Sequence, residues 1–158
     1  KDLLGRKLVR KIGNKRYTGI ISEIGAYAGT PSKKSVNYDG MLYEPGIIHI
    51  FRYRGHYSLN ISTEKIKKPS VVHISKLIPL DGIEELVKGK SIDKKYAHRL
   101  TNGPGKLTKA FEIDETYDGW SIGGNDIWIE GNGVSESKVR KVDRKRLAEI
   151  CLGYYSLS

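Results

Sequence analysis

A strand-like run between Arg16 and Tyr27 holds the side chains best placed to do chemistry. Side chains alternate along a strand, so Glu23, Gly25 and Tyr27 are predicted to share one face. A carboxylate on such a face can orient and deprotonate a water molecule, which typically accelerates a reaction by about 10²–10⁴-fold. Glu23 is therefore the candidate catalytic residue. Glycine at position 25 is expected to leave room for Glu23 to lean, or for a water chain to bridge.

No competing catalytic pattern stands out in the sequence. Four histidines are scattered without the spacing of metal ligands, and a single cysteine allows no internal disulfide. The segment Gly103–Lys106 lacks the spacing of a phosphate-binding loop, although Lys106 near a helix start could contact a phosphate. We therefore expect no metal and no cofactor. The histidines and the cysteine are His49, His56, His73, His98 and Cys151.

Hydrophobic periodicity and turn residues indicate the elements that must position these side chains. The predicted strands are Lys7–Ile12, Arg16–Tyr27, Ile47–Arg54, His56–Ser62, Ser70–Leu77, Asp126–Glu130 and Lys138–Val142. The predicted helices are one opening at Pro79–Gly82, then Ile92–Leu100, Asn102 to about Ile113, and Arg144–Cys151. Strands dominate the first half and helices cluster in the second, so we predict an α+β fold with a single domain over residues 1–158.

The charge balance favours a polyanionic partner. The chain has 28 Lys and Arg against 18 Asp and Glu, a net charge of +10 and a pI of about 9.6. The alternative is a lysine-rich surface that serves only solubility. Apolar content of 38% is ordinary for a globular protein, and no apolar run reaches the roughly 18 residues of a membrane span. No secretory signal is evident, so we expect a cytoplasmic protein without a membrane partner.

The run Gly19–Gly29 (GIISEIGAYAG) resembles the active-site strand of the alkyladenine (3-methyladenine) DNA glycosylase family. That strand reads roughly G-x-I-x-E-x-E-A-Y-x-G, and its second glutamate activates the attacking water. The first glutamate corresponds to Glu23 and the stacking tyrosine to Tyr27. Glycine stands at position 25, where the family has its catalytic glutamate. Whether the protein cuts or only binds depends on that position.

Six further segments resemble family motifs and occur in family order. They are Asp2–Val9, Met41–Gly46, Gly55–Asn60, Leu77–Gly82, Asn102–Leu107 and Trp128–Glu130. The resemblance implies a single compact domain with a central antiparallel sheet flanked by helices. It also implies a monomer that binds duplex DNA from the minor groove, inserts a wedge and rotates a damaged purine into a pocket. The glycosidic bond is then hydrolysed without a metal or a covalent intermediate. In a prokaryote such a protein would be associated with the nucleoid.

The resemblance assigns pocket residues one by one. Tyr27 falls where the family stacks an aromatic ring on the flipped base, which contributes roughly 1–3 kcal/mol. Phe51 falls at a second pocket tyrosine, although its strand position also allows it to face the core. Asn60 matches an asparagine that reads the base or its surroundings, the alternative being a solvent-facing strand residue.

The wedge that fills the gap in the duplex is ambiguous between two neighbours. Counting forward from Gly46 places Arg54 at the family's wedge tyrosine, whereas counting back from Asn60 places Tyr53 there. A residue missing after Gly55 causes the difference, and we prefer Tyr53 because a tyrosine makes the better wedge. The residues expected to border one basic DNA-binding face are Lys33, Lys34, Arg52, Arg54 and Lys106.

Three departures from the family bear on the chemistry. Gly25 replaces the water-activating glutamate, Val36 replaces a pocket histidine, and Ser75 stands where the family has an arginine beside the water. Two hypotheses follow: a base excision repair glycosylase for alkylated or deaminated purines, and a catalytically silent protein that binds damaged DNA. A small basic RNA-binding module would explain the charge but not the order of the motifs.

Overall fold

The computed structural model describes residues 1–28, 43–64, 70–143 and 151–158. The strands are β1 (Lys7–Ile12), β2 (Lys15–Ala28), β3 (Ile48–Tyr53), β4 (His56–Ser62), β5 (Ser70–Asp81), β6 (Ile127–Glu130), β7 (Val139–Val142) and β8 (Cys151–Leu157). The α-helices are α1 (Ile83–Val87) and α2 (Pro104–Ala110), and short 3-10 helices span Lys94–Leu100, Glu115–Tyr117 and Glu136–Lys138. Within these ranges the protein is mostly antiparallel sheet with few helices.

One sheet contains all eight of these strands. Its main path runs β3-β4-β5-β2-β1-β6, and β8 joins β2 and β7 off that path. The long strand β2 makes this possible, because its first half pairs with β1 and its second half with β8. On its other side, β5 pairs with β2 from Thr18 to Ala28. The second half of β2 is therefore an internal strand, flanked by β5 and β8.

The hydrophobic core lies on one face of this sheet. Leu59, Ile74 and Ile24 project into it from three neighbouring strands, and Leu107 and Phe111 of α2 pack against the same cluster. Burial of large apolar side chains of this kind is the main favourable contribution to folding. The described residues form one compact domain around this shared cluster, but the predicted flanking by helices is weaker than expected, since α1 and α2 are only 5 and 7 residues long.

A β-bulge interrupts the predicted alternation in β2. The register against β5 shifts between Ile21 and Glu23 and again between Glu23 and Ile24. Ile21 and Ile24 are consequently both buried in the core, although strict alternation would put them on opposite faces. Glu23 and Gly25 remain in regular register with Ser156 and Tyr154 of β8, so these two positions share the face opposite the core.

Several predicted boundaries are wrong for identifiable reasons. Strand β5 continues through Pro79 to Asp81, and α1 begins at Ile83 only after Gly82 adopts a φ of 78°, in the left-handed region that favours glycine. The predicted helix Ile92–Leu100 is a 3-10 helix from Lys94. Most of the predicted helix Arg144–Cys151 lies outside the described residues, and Cys151 itself begins strand β8, which was not predicted.

Candidate active site

A row of five residues crosses the sheet on the face opposite the core. Directly paired positions on β8, β2, β5, β4 and β3 are Tyr154, Gly25, His73, Asn60 and His49. The chain neighbours of these residues, such as Ile24, Ile74 and Leu59, point into the core instead. The strand pairing therefore places one tyrosine, one amide and two imidazoles in one row with the glycine of the run Gly19–Gly29.

Three rings fill the space above Gly25. The ring centroids of Tyr27 and His73 are 6.2 Å apart, those of Tyr27 and Tyr154 are 6.2 Å apart, and those of His73 and Tyr154 are 6.4 Å apart. A Cβ atom added to Gly25 would lie 2.9 Å from Cζ of Tyr154 and 3.0 Å from Cε2 of Tyr27. The expectation of open room at Gly25 is therefore wrong, because these rings occupy it.

The hydroxyls of Tyr27 and Tyr154 hydrogen-bond to each other, with 2.5 Å between the oxygens. Burial raises the pKa of Tyr27 well above its usual range, and the hydrogen bond to Tyr154 adds to this effect. Tyr27 therefore remains a neutral phenol at physiological pH. We refer to Tyr27, His73 and Tyr154 as the ring cluster.

The carboxylate of Glu23 is held on both oxygens. Ser75 Oγ donates to Oε1 over 2.9 Å, and Lys76 Nζ donates to Oε2 over 2.8 Å. The Glu23 side chain is only 4% exposed, whereas that of Lys76 is 40% exposed. Ser75, which was predicted to stand beside the attacking water, is buried and contacts the carboxylate of Glu23.

Glu23 opens toward a cleft of its own rather than toward the ring cluster. Its partner across β8 is Ser156, which accepts a hydrogen bond of 3.1 Å from Nε of Arg140 on β7. Lys76, Glu23, Ser156 and Arg140 border a cleft of about 560 Å³, and Tyr27 is not among the residues that line it. The face shared by Glu23 and Gly25 thus carries two adjoining environments, one ionic and one aromatic.

Asn60 is buried and fully engaged, so the solvent-facing alternative is wrong. Its Nδ2 donates to the carbonyl oxygens of His49 and Ser58 over 3.0 and 3.3 Å, and its Oδ1 lies 3.0 Å from Nδ1 of His73. Asn60 is 6% exposed and His73 is 8% exposed. The asparagine therefore ties three strands together and fixes the orientation of the imidazole.

Phe51 lies on the same face as the row and not in the core. The neighbouring residues Ile48 and Ile50 are the core residues of β3, whereas Phe51 is half-buried. Its ring stacks on Tyr53 with centroids 6.3 Å apart and an interplanar angle of 25°. The core-facing alternative for Phe51 is therefore wrong, and its ring stacks toward the hairpin tip.

The β3–β4 hairpin presents both wedge candidates at its tip. Tyr53 pairs with His56, so only Arg54 and Gly55 form the loop, and both have positive φ, 49° and 80°. Two central residues with positive φ are typical of a type I′ turn, whose twist suits a tight hairpin. The residue missing after Gly55 is thus accommodated by a two-residue turn. Tyr53 is 57% exposed, and Cζ of Arg54 lies 5.1 Å from its ring centroid.

A basic groove runs between the hairpin tip and the start of α2. Its volume is about 600 Å³, and its lining includes Tyr53, Arg54, Pro104, Lys106 and Lys109. Two of the predicted DNA-binding cations, Arg54 and Lys106, are brought together here. A third, Arg52, lies beside the groove with Cζ 5.9 Å from the ring of Tyr57. The predicted site residues Lys33, Lys34 and Val36 lie outside the described residues.

No motif assigns a role to His73 or Tyr154, although both contact Tyr27. Tyr154 belongs to the strand that was not predicted, and His73 is separated from Gly25 by 47 intervening residues. The run Cys151–Leu157 does contain the aromatic residues favoured in strands, which is the signal that could have identified β8. Nothing in the local sequence could have paired that strand with Gly25.

No helix in the described part of the chain has the length and apolar character needed to cross a membrane. Within the same ranges, no group of three or more His, Cys, Asp or Glu side chains is arranged to hold a metal ion.

Comparison with known proteins gives a consistent result. A family model described as Methylpurine-DNA glycosylase (MPG) matches residues 1–148. The chain is 32% identical to a "Putative 3-methyladenine DNA glycosylase" of Alkaliphilus oremlandii (strain OhILAs), over 93% of this chain and 79% of that protein. Proteins with the same name from Bacillus cereus (strain AH187) and Chlorobium phaeobacteroides (strain BS1) are 35% and 34% identical, over 82% and 81% of this chain and 70% and 68% of theirs.

Proposed function

The chain belongs to the methylpurine-DNA glycosylase family, and on that premise we propose that it rotates alkylated or deaminated purines out of duplex DNA and hydrolyses their N-glycosidic bond. Such a reaction begins base excision repair. The observation that carries this proposal is the ring cluster over Gly25, on the sheet face that also bears Phe51 and Asn60. An electron-poor alkylated purine binds well against aromatic rings.

The basic groove supplies the second part of the proposal. Cations at the hairpin tip and on α2, Arg54 and Lys106, can neutralise backbone phosphates. An exposed aromatic wedge such as Tyr53 can fill the gap that the rotated nucleotide leaves, at a cost of a few kcal/mol for unstacking. Phe51 stacks directly behind Tyr53, so the wedge is supported toward the pocket side of the sheet.

The wedge assignment makes a testable prediction. We expect Tyr53→Ala to weaken binding to a lesion-containing duplex by about 5- to 150-fold, because base–aromatic stacking is worth roughly 1–3 kcal/mol. Binding to a single strand of the same sequence should change much less, since only a duplex has a gap to fill. Fluorescence anisotropy with both substrates measures the difference.

Tyr96→Ala is the matched control, since Tyr96 is an exposed tyrosine of the 3-10 helix Lys94–Leu100. Equal losses for duplex and single strand would contradict the wedge role of Tyr53. A larger duplex-specific loss in Arg54→Ala would move the role to Arg54.

The role proposed for Glu23 is electrostatic support of the reaction. Hydrolysis develops positive charge on the sugar, and a buried carboxylate adjoining the pocket stabilises that charge. Removing one such preorganised group typically costs 10²–10³-fold. We therefore expect Glu23→Gln to slow single-turnover release of 7-methylguanine from a duplex by about 10²-fold while DNA affinity stays unchanged.

Glu84→Gln provides the control, because Glu84 is an exposed residue of α1 that pairs with Lys94. Release by Glu23→Gln at the rate of native protein would remove Glu23 from the mechanism. If Glu23→Gln lowers DNA affinity as much as it lowers the rate of base release, the role of Glu23 is structural and acts through its contacts with Ser75 and Lys76.

The second candidate function is a protein that binds damaged DNA without cutting it. One observation favours it: the rings of Tyr27 and Tyr154 occupy the space where a side chain at position 25 would lie. Tight, lesion-selective binding with no base released over many hours would support this candidate. Release of the methylated base by native protein would exclude it.

A further inference from the structure

His73 is a buried histidine that lies in none of the family-like motifs. His73 pairs directly with Gly25 across β5 and β2. The imidazole of His73 and the ring of Tyr154 extend from β5 and β8, the two strands that flank β2. These strands lie roughly 10 Å apart, yet the centroids of the two rings are only 6.4 Å from each other. Both rings must therefore lean over the glycine, and this places the imidazole above the backbone of position 25.

The hydrogen bond with Asn60 determines which nitrogen of His73 can accept a proton. Asn60 Nδ2 donates to the carbonyl oxygens of His49 and Ser58, so Oδ1 is the atom that faces His73. Oδ1 is an acceptor, and Nδ1 of His73 must therefore carry the hydrogen. In the neutral ring, Nε2 is then the basic nitrogen. A histidine whose tautomer is fixed by a neighbour in this way is suited to act as a general base.

We propose that His73 accepts the proton of the attacking water, in place of the glutamate that the family carries at the position of Gly25. This step rests on the proposed function. The water oxygen bonds to C1′ of the damaged nucleotide, and the C1′–N9 bond breaks with its electron pair passing to the purine. One water proton passes to Nε2 of His73 and later returns to solvent. A cationic 7-methylguanine leaves as the neutral base, whereas a neutral hypoxanthine leaves as an anion that takes one proton from solvent. The products are a free purine and an abasic site.

Glu23 is less suited to this step than His73. Ser75 and Lys76 engage both of its carboxylate oxygens, and its side chain borders the ionic cleft with Arg140. His73 instead contacts Tyr27, the ring expected to stack on the base. The two residues thus divide the work, with Glu23 stabilising positive charge and His73 taking the proton.

The test compares single-turnover release of 7-methylguanine and hypoxanthine from a duplex by native protein and by His73→Gln. Glutamine can keep the hydrogen bond to Asn60 but is not basic. We expect release of 7-methylguanine to fall by about 10²–10⁴-fold, with DNA affinity within twofold of native. The loss should be larger for hypoxanthine, since a neutral purine is the poorer leaving group. His98→Gln, at an exposed position of the 3-10 helix Lys94–Leu100, should match native protein.

A second variant separates chemistry from folding. His73→Ala should regain at least tenfold of its lost rate when imidazole is added, because the small base can enter the space of the deleted ring, whereas added pyrazole should not help. Release by His73→Gln within threefold of native, or His73→Ala without imidazole rescue, overturns the role of His73 and leaves the proposed function standing. No release by native protein overturns the proposed function and this role together.

Discussion

Gly25→Glu alone is expected to leave release of alkylated purines at or below the native rate, whereas Gly25→Glu with Tyr154→Ala should raise it by about 10²-fold. The single change forces a Cβ atom to within 2.9 Å of the ring of Tyr154, so the new carboxylate has no place unless that ring moves. Truncating Tyr154 provides the space beside Tyr27. The gain is expected at the lower end of the general-base range because His73 already acts there.

Single-turnover release of 7-methylguanine measures this effect, with Tyr154→Ala alone as the reference for the double substitution. Gly25→Ala is the steric control, because it adds only the crowded Cβ atom. Its midpoint of thermal unfolding should fall, since overpacking a filled site typically costs about 1–3 kcal/mol. A strong gain from Gly25→Glu without the second change would contradict the closed geometry over position 25.

DNA affinity is expected to fall about 500-fold between 50 and 200 mM salt. The five proposed contacts of Lys33, Lys34, Arg52, Arg54 and Lys106 predict a slope of log K against log salt of roughly −4.5, at about −0.9 for each phosphate. Raising the salt concentration fourfold therefore lowers the binding constant by a factor of 4 to the power of about 4.5, which is about 500. The measurement is a titration of an undamaged duplex, because this contribution does not depend on sequence.

Lys106→Gln should lower the magnitude of that slope by about 1. Lys94→Gln is the matched control, since Lys94 lies on a different segment and pairs with Glu84. An affinity that does not change between dilute and physiological salt would show that the basic groove does not bind DNA phosphates. A slope unaffected by Lys106→Gln would remove Lys106 alone.

The first half of the fold was predictable because its signals are local. Strands β1 and β4 begin and end at the predicted residues. Apolar residues indicate each strand, and a turn that contains glycine marks one end of it. The bulge near Glu23 was not predictable, because it depends on pairing with β5, whose residues lie about 50 positions further along the chain. The bulge brings both Ile21 and Ile24 into the core, and nothing in the local sequence pattern indicates it.

The candidate site was predictable only where a motif covers it. Tyr27 and Asn60 were found by their place in family-like segments, and both lie on the face that carries the ring cluster. His73 and Tyr154 were not found, because strand pairing alone brings them to Gly25. For the same reason the glycine suggested an open space, whereas the ring of Tyr154 on β8 and that of Tyr27 on the same strand fill it.

The most direct test of the account is to identify what native protein releases from a duplex with a single 7-methylguanine. Under single-turnover conditions, chromatography of the soluble fraction and alkaline cleavage of the strand report the free base and the abasic site separately. The account predicts free 7-methylguanine and abasic sites in equal amounts, with both lost in His73→Gln and retained in His98→Gln. Lesion-selective binding with neither product formed would contradict it and identify a protein that binds damaged DNA without cutting it.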